Sequence, residues 1–346
     1  MLTKKEIKAC LRGEKTEVAP AYFLWMDSDF VLNNQNFFEE MREKYSDDIL
    51  QTVPELIRRA PEPDDLEEGE FTDVWGCRFR KALTGVGSHP TYPIIRTVED
   101  WMVYRENYMP AIEAGVFEST AKKTVQENPD SYILMNIWRT FYERMYMLFG
   151  MQELWMDMAA DQEVFPIMLQ DLKEFTLQAI RAAKNSGVDG IYLADDWGTQ
   201  DRLQISPATW KQYFKPAYAE MIAVAHELGM EVWMHSCGCI ESLIPEFIEI
   251  GLDVIGNLQT SALDLKKLAD NYRGKITFFG GLDVQTNLTK GTPETIWREV
   301  ENLTEWFRPS QGKFIFAPSN SIMPETPVEN VSALFAAIDH YRRQGL

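Results

Sequence analysis

His235-Ser236-Cys237-Gly238 closes the short apolar run Met230 to Met234, so an imidazole and a thiol stand two residues apart at a strand end. Side chains at i and i+2 share one face of a strand, which lets both donors reach one ion. A neutral imidazole nitrogen beside a soft thiolate suits zinc, and an incomplete protein shell leaves a coordination position for substrate. The same two residues also fit plain packing, a buried histidine next to a small hydrophobic cysteine. The rest of the chain has to decide between the two.

The elements that must hold this pair announce themselves by a repeated punctuation, in which an amphipathic segment ends at glycine and an apolar run begins shortly after. Gly187 precedes Gly190 to Ala194, Gly229 precedes Val232 to Met234, and Gly251 precedes Val254-Ile255; Gly274 precedes Ile276 to Phe279, and Gly312 precedes Phe314 to Phe316. Glycine past a helix end takes the left-handed conformation that closes it, and continuous apolar runs fit parallel strands covered on both faces. Ser206-Pro207, Thr292-Pro293 and Thr326-Pro327 each set a capping side chain before a helix-starting proline, with Glu329 completing a capping box for Thr326. Ala21 to Trp25, Tyr132 to Ile137 and, more weakly, Tyr92 to Ile95 add strands and bring the total to about eight. This predicts an α/β chain folded as a single (β/α)8 TIM barrel over residues 1–346, with N-terminal helical decoration or an insertion in the less regular stretch 37–130. A doubly wound sheet ranks second, because no Gly-x-Gly-x-x-Gly turn and no phosphate loop is present.

In such barrels chemistry gathers at the carboxyl ends of the strands. Those ends read Asp27 and Asp29, Asn136, Asp195-Asp196, His235-Ser236-Cys237, Asn257 and Gln259, Asp283, and Ser319-Asn320-Ser321. Any one of them also serves as a cap or turn; their convergence at one mouth argues for a site. Asp195, Asp196 and Asn320 are the candidate catalytic groups, and Trp25, Asp27, Asn136, Trp197, Gln259 and Asp283 the candidate substrate contacts. Trp75 and Trp233 fall near the same ends. Aromatic side chains there suit an apolar or aromatic ligand, or a cation held by cation–π contact, although core packing accounts for each ring separately.

Composition narrows the classes. A formal charge of −19 repels nucleic acid phosphates, and no basic cluster is denser than the short Arg78 to Lys81 stretch. No apolar run approaches the ~18 residues of a membrane span, and the start lacks an apolar leader, so a cytoplasmic protein is expected. Four cysteines (Cys10, Cys77, Cys237, Cys239) do not make a disulfide framework. His226 and His340 sit in amphipathic helices and His89 in a loop, and Cys10 reads as packing; none of these is a candidate ligand.

His235-Ser236-Cys237-Gly238, Ile244-Pro245, Ile250-Gly251-x-Asp253-Val254 and Gly280-Gly281-Leu282-Asp283 together resemble the uroporphyrinogen decarboxylase-like superfamily. Asp195-Asp196-x-Gly198-Thr199-Gln200, the Ser206-Pro207 helix start and the Ala317-Pro318 to Pro327 stretch resemble it too. The resemblance implies a (β/α)8 barrel and two branches, porphyrinogen decarboxylases and zinc-dependent, corrinoid-linked methyltransferases. The decarboxylases hold substrate carboxylates with an arginine-bearing loop after the first strand, where this chain has Trp25-Met26-Asp27-Ser28-Asp29-Phe30. The His-x-Cys pair maps onto the zinc ligands of the methyltransferase branch, implying zinc at His235 and Cys237, a corrinoid (cobalamin) carried by a partner protein, and a small methylated substrate, either a methyl ether such as a methoxylated aromatic, as in O-demethylation, or a methylated amine. A metal-independent decarboxylase and a noncatalytic ligand-binding barrel are the alternatives. Where coenzyme M methyltransferases place a further cysteine, in Pro-Gly-Cys, this chain has Pro318-Ser319-Asn320, so either Cys239, Asp196, Glu241 or another acid supplies the third donor, or there is no third protein ligand, or the metal is not retained.

Overall fold

The computed structural model describes residues 1–80, 89–160 and 163–344. Lys81 and the side chains of His89 and Asn257 lie outside that set. Its strands are β1 (Ile49–Thr52), β2 (Glu70–Thr72), β3 (Arg78–Arg80), β4 (His89–Tyr92), β5 (Tyr132–Trp138), β6 (Gly190–Ala194), β7 (Glu231–His235), β8 (Val254–Leu258), β9 (Thr277–Gly280) and β10 (Phe314–Ile315). Seven of them form one parallel sheet in the order β1-β5-β6-β7-β8-β9-β10, while β2-β3-β4 form a small antiparallel sheet.

From β6 onward the sequence pattern and the fold coincide. Helices Val164–Lys184, Lys215–Glu227, Ile244–Glu249, Leu265–Tyr272 and Pro293–Phe307 alternate with the strands, and Gly187, Gly229, Gly251, Gly274 and Gly312 all take positive φ at the helix ends. Ser206 caps its proline-led helix by accepting from the Thr209 N–H at 3.0 Å, and Thr292 caps the next. Thr326 does not: the last helix, Val328–Tyr341, begins one residue later with no side-chain cap, and the Thr326 hydroxyl is buried without a hydrogen-bond partner among the described residues.

Alternate residues of the strands divide between two apolar faces, as period-two geometry demands. Met135, Ile191, Val232, Ile255 and Phe278 pack under the helices. Leu134, Tyr192, Trp233, Phe279 and Ile315 point the other way and meet one another. Tyr192 on β6 reaches Phe279 on β9, with centroids 6.3 Å apart, although two strands lie between them in the sheet. Only a curled sheet brings such positions together. Helix Lys4–Leu11 plugs the amino end with Ile7, Cys10 and Leu11, and Lys8 pairs with Asp189 and Glu231 at the starts of β6 and β7.

The expected first strand, Ala21 to Trp25, is instead an extended segment with isolated parallel bridges, Ala21 to Phe316 and Met26 to Ile322. Regular pairing fails because its other side is met by carboxylates: Asp47 accepts from Leu24 N, and Asp48 from Ala21 N, at 3.0 Å each. The stretch 37–130 also holds a sheet strand, β1, that the sequence pattern did not mark. Tyr92 to Ile95 adds no strand to the large sheet, since Tyr92 ends β4 of the small one.

Asp48 ties three parts of the chain together. It accepts from Leu2 N at 2.6 Å as well as from Ala21 N, and forms a buried ion pair with Arg342, whose Nε bonds the Ala19 carbonyl at 3.0 Å. Removing one partner strands the other charge without solvent, so Asp48→Ala is expected to cost about 3–5 kcal/mol. Urea unfolding of the variant checks this; a loss under roughly 1 kcal/mol, the size of an exposed pair, would contradict it.

Candidate metal centre

Strand β7 delivers His235 at its last position, and the chain then turns sharply at Gly238, φ +81°. A Cβ on Gly238 would lie 2.4 Å from the Gly198 carbonyl carbon, and one on Gly198 would lie 2.5 Å from Cys239 N. The loops after β6 and β7 therefore touch backbone to backbone. Gly198 N donates to the Cys237 carbonyl (3.1 Å), and Cys239 N donates to the Thr199 carbonyl (2.7 Å). Gln259 anchors the turn from β8, its Oε1 accepting from Gly238 N at 2.7 Å. This lacing brings Asp196 to His235 and Cys237. Gly198→Ala, which leaves no room for it, is expected to lower zinc retention even in protein that still folds, measured as metal per chain after dialysis; full retention would contradict it.

His235 Nε2 stands 3.2 Å from Cys237 Sγ and 3.2 Å from Asp196 Oδ1, and one donor atom from each residue lies within 4.8 Å of the others. Burial pushes the Asp196 carboxyl up, but His235 and the Cys237 N–H outweigh it and hold it down at about 2. Burial disfavours a charged His235, yet the adjacent Cys237 sulfur and Asp196 carboxylate push it well above its ordinary value. Two acids thus draw a positive charge to the point between them, and a divalent cation satisfies that demand more fully than a proton. Thiolate, imidazole and carboxylate are all zinc donors. The residues fit the metal.

Around this centre lies a cavity of about 790 Å³, lined among others by Trp25, Tyr92, Trp138, Arg139, Glu143, Tyr146 and Asn320. The His235 ring sits between Trp25 and Trp138, each with its centroid 6.4 Å away. Its Nδ1 is buried without a hydrogen-bond partner among the described residues, so packing orients it. Asn320 turns its amide nitrogen, not its oxygen, toward Cys237 Sγ at 3.8 Å, because Oδ1 accepts the Ser321 N–H at 2.7 Å. It is a donor to the sulfur rather than a ligand.

Other expected site residues lie elsewhere. Cys239 lines a second depression with Glu241 and Tyr272, carried there by the turn at Gly238, and stands outside the donor group. Asp195 is buried and pushed up to about 8 by desolvation and by Glu143. It accepts from Glu143 N at 2.7 Å and from the Tyr218 hydroxyl at 2.5 Å, capping helix Tyr142–Phe149, which has no side-chain cap of its own. Asp27 caps helix Ser28–Asn33, and Asp283 accepts from Gln285 N, Thr286 N and Asn287 N. Trp197 is wholly buried and stacks on Tyr142 at 4.1 Å, so it is core. Trp75 and Trp233 are buried as well. Asn136 bonds Gln51 at 2.9 Å and is not among the cavity residues.

The sequence reading missed Trp138, Arg139, Glu143 and Tyr146. Trp138 and Arg139 directly follow the expected strand Tyr132 to Ile137, and extending that strand end by two residues would have found them. Arg139 takes φ +54°, a left-handed backbone uncommon for a side chain with Cβ, and it is the one arginine or lysine among the described cavity residues.

No helix among the described residues is long and apolar enough to cross a membrane. Among solved structures, a methyltransferase from Methanosarcina mazei superposes with a TM-score of 0.72 at 16% identity, covering 99% of each chain, so the two share a fold. A methylcobamide:CoM methyltransferase MtaA of Methanosarcina barkeri (strain Fusaro / DSM 804) is 27% identical over 182 residues, 52% of this chain and 50% of that protein. The chain thus aligns with about half the length of that relative. A uroporphyrinogen decarboxylase of Bacillus mycoides (strain KBAB4) is 21% identical over 98% of this chain and 97% of its own. The pattern of the family described as uroporphyrinogen decarboxylase (URO-D) matches residues 82–341, well over half of the sequence. The chain belongs to the uroporphyrinogen decarboxylase (URO-D) family.

Proposed function

We propose that this protein is a zinc-dependent methyltransferase, moving a methyl group between a small methylated substrate and the cobalt of a corrinoid held by a partner protein. The observation that carries the reading is the convergence of Asp196, His235 and Cys237 within 4.8 Å at an aromatic cavity. The methyltransferase relatives support it, one of them named for acting on methylcobamide. We read the seven strands with the extended 21–26 segment as a closed eightfold barrel, whose mouth a corrinoid protein covers.

Zinc bound there would supply Lewis acidity, lowering the pKa of a substrate thiol or polarising the oxygen or nitrogen that loses the methyl group. The chain's own residues do the remainder. Trp25 and Trp138 hold an apolar or aromatic donor against the centre, Asn320 tempers the sulfur by hydrogen bonding, and Gln259 and Gly198 keep the donors in register.

Decarboxylation of a polycarboxylate fits the cavity poorly, since Arg139 is the one arginine or lysine among the described lining residues. The test is direct. Zinc-supplemented protein is mixed with cob(I)alamin and a panel of methyl ethers and methylamines, and methylcobalamin is read by absorbance. Its formation with one donor class is expected. Carbon dioxide released from a porphyrinogen, with no methylcobalamin from any donor, would replace this reading with the decarboxylase one.

A further inference from the structure

Glu143 is a buried carboxyl at the cavity wall whose position nothing in the metal centre explains. Its side chain is 7% exposed, yet it lines the same cavity as Asp196, His235 and Cys237. Two devices fix it there. Asp195, reaching across from the end of β6, holds its backbone N–H at 2.7 Å, and the Tyr146 hydroxyl donates to Oε1 at 2.6 Å. The second oxygen, Oε2, has no hydrogen bond among the described residues and stands 3.7 Å from Arg139 Nε, beyond bonding range. A proton carried on Oε2 therefore has no competing protein acceptor and can be given to a molecule in the cavity. Burial favours the neutral acid. Arg139, half exposed, attracts the carboxylate once the proton has left.

We propose that Glu143 is the proton donor of the reaction, and that the methyl donor is correspondingly an ether, whose leaving atom is an oxygen. The inference rests on the methyltransferase reading above. In the step, the electron pair of cob(I)alamin forms the cobalt–carbon bond, and the carbon–oxygen bond breaks with its pair on oxygen. The Oε2 proton passes to that oxygen, so an alcohol or phenol departs, cobalt is formally oxidised from (I) to (III), and Glu143 is left as carboxylate. Solvent reprotonates it beside the exposed Arg139. An ammonium donor would not use this group, because its leaving amine departs neutral without receiving a proton.

The experiment compares zinc-loaded wild type with Glu143→Gln, using free cob(I)alamin as acceptor and anisole or para-nitroanisole as donor. Gln keeps the shape and accepts from Tyr146, but it cannot release a proton. Methylcobalamin formation from anisole is expected to fall roughly 100-fold or more, the scale of general acid catalysis. With para-nitroanisole, whose phenolate leaves without a proton, the fall is expected to be far smaller, and zinc content is expected to match the wild type. Equal losses with both donors, no loss with either, or zinc missing from the variant would each overturn the proposal. A wild type that methylates cobalamin from methylamines but from neither anisole overturns the ether assignment alone. A wild type inactive with every methyl donor overturns the methyltransferase reading itself.

Discussion

Cys237→Ser is expected to strip zinc from the protein and to slow methyl transfer by at least roughly 100-fold, Lewis-acid stabilisation being worth several kcal/mol at about 1.4 kcal/mol per decade. The side chain is nearly isosteric, so little packing is lost, and the turn at Gly238 persists because Gln259 and Asp196 bind backbone N–H groups there. What changes is the donor: a serine hydroxyl does not ionise as a thiol does and is a poor zinc ligand. The variant should also lower the affinity of His235 for a proton, since the Cys237 sulfur is among the groups that push it up. Circular dichroism close to wild type with metal absent and activity lost is the expected combination. Retained zinc with retained turnover would remove Cys237 from the centre.

The second large effect separates two candidates for the third donor. Asp196→Ala is expected to lower zinc occupancy and turnover about as strongly as Cys237→Ser does, while Cys239→Ser leaves both near wild type. Asp196 Oδ1 stands 3.2 Å from His235 Nε2, whereas Cys239 lines a different depression. Asp196 also binds Cys237 N at 2.9 Å, so its loss loosens the thiolate as well as removing a ligand. Zinc titration of the two variants with a competing chelator decides it. Weak binding in Cys239→Ser with tight binding in Asp196→Ala would reverse the assignment.

Asp196 rather than Cys239 beside His235 marks how far the sequence could be read. The strand-end position of His235 and the i, i+2 relation to Cys237 were legible, because alternation along a strand is a local property. So were β6 to β10, whose glycine-then-apolar boundaries fall where the five positive-φ glycines lie. Cys239, two residues beyond Cys237, could join the donors only if the turn folded back, and strand alternation says nothing past the strand end at His235. Beyond His235 the direction of the chain depends on Gly238 and Gly198 packing against each other, a contact between loops forty residues apart in sequence (238 − 198) that no local pattern records.

The beginning of the large sheet was read less well for a related reason. Ala21 to Trp25 is apolar and extended as expected, but on one side its N–H groups donate to the side-chain carboxylates of Asp47 and Asp48 rather than to the backbone of a regular neighbour strand. The neighbour, β1, is only four residues long and half polar, Ile49-Leu50-Gln51-Thr52, so it gave no periodic signal. Trp197 fell to the converse error: a tryptophan beside the site in sequence packs away from it, because the loop after β6 folds its ring under Tyr142 while Asp196 alone faces the cavity.

The claim that everything else leans on is that Asp196, His235 and Cys237 hold one zinc ion. Elemental analysis of protein purified without chelator or metal-affinity resin, with wild type and His235→Ala measured side by side after zinc supplementation, tests it most directly. The account predicts about one zinc per wild-type chain and close to none in the folded variant. A folded wild type without zinc, or a His235→Ala protein that keeps a full equivalent, would contradict it.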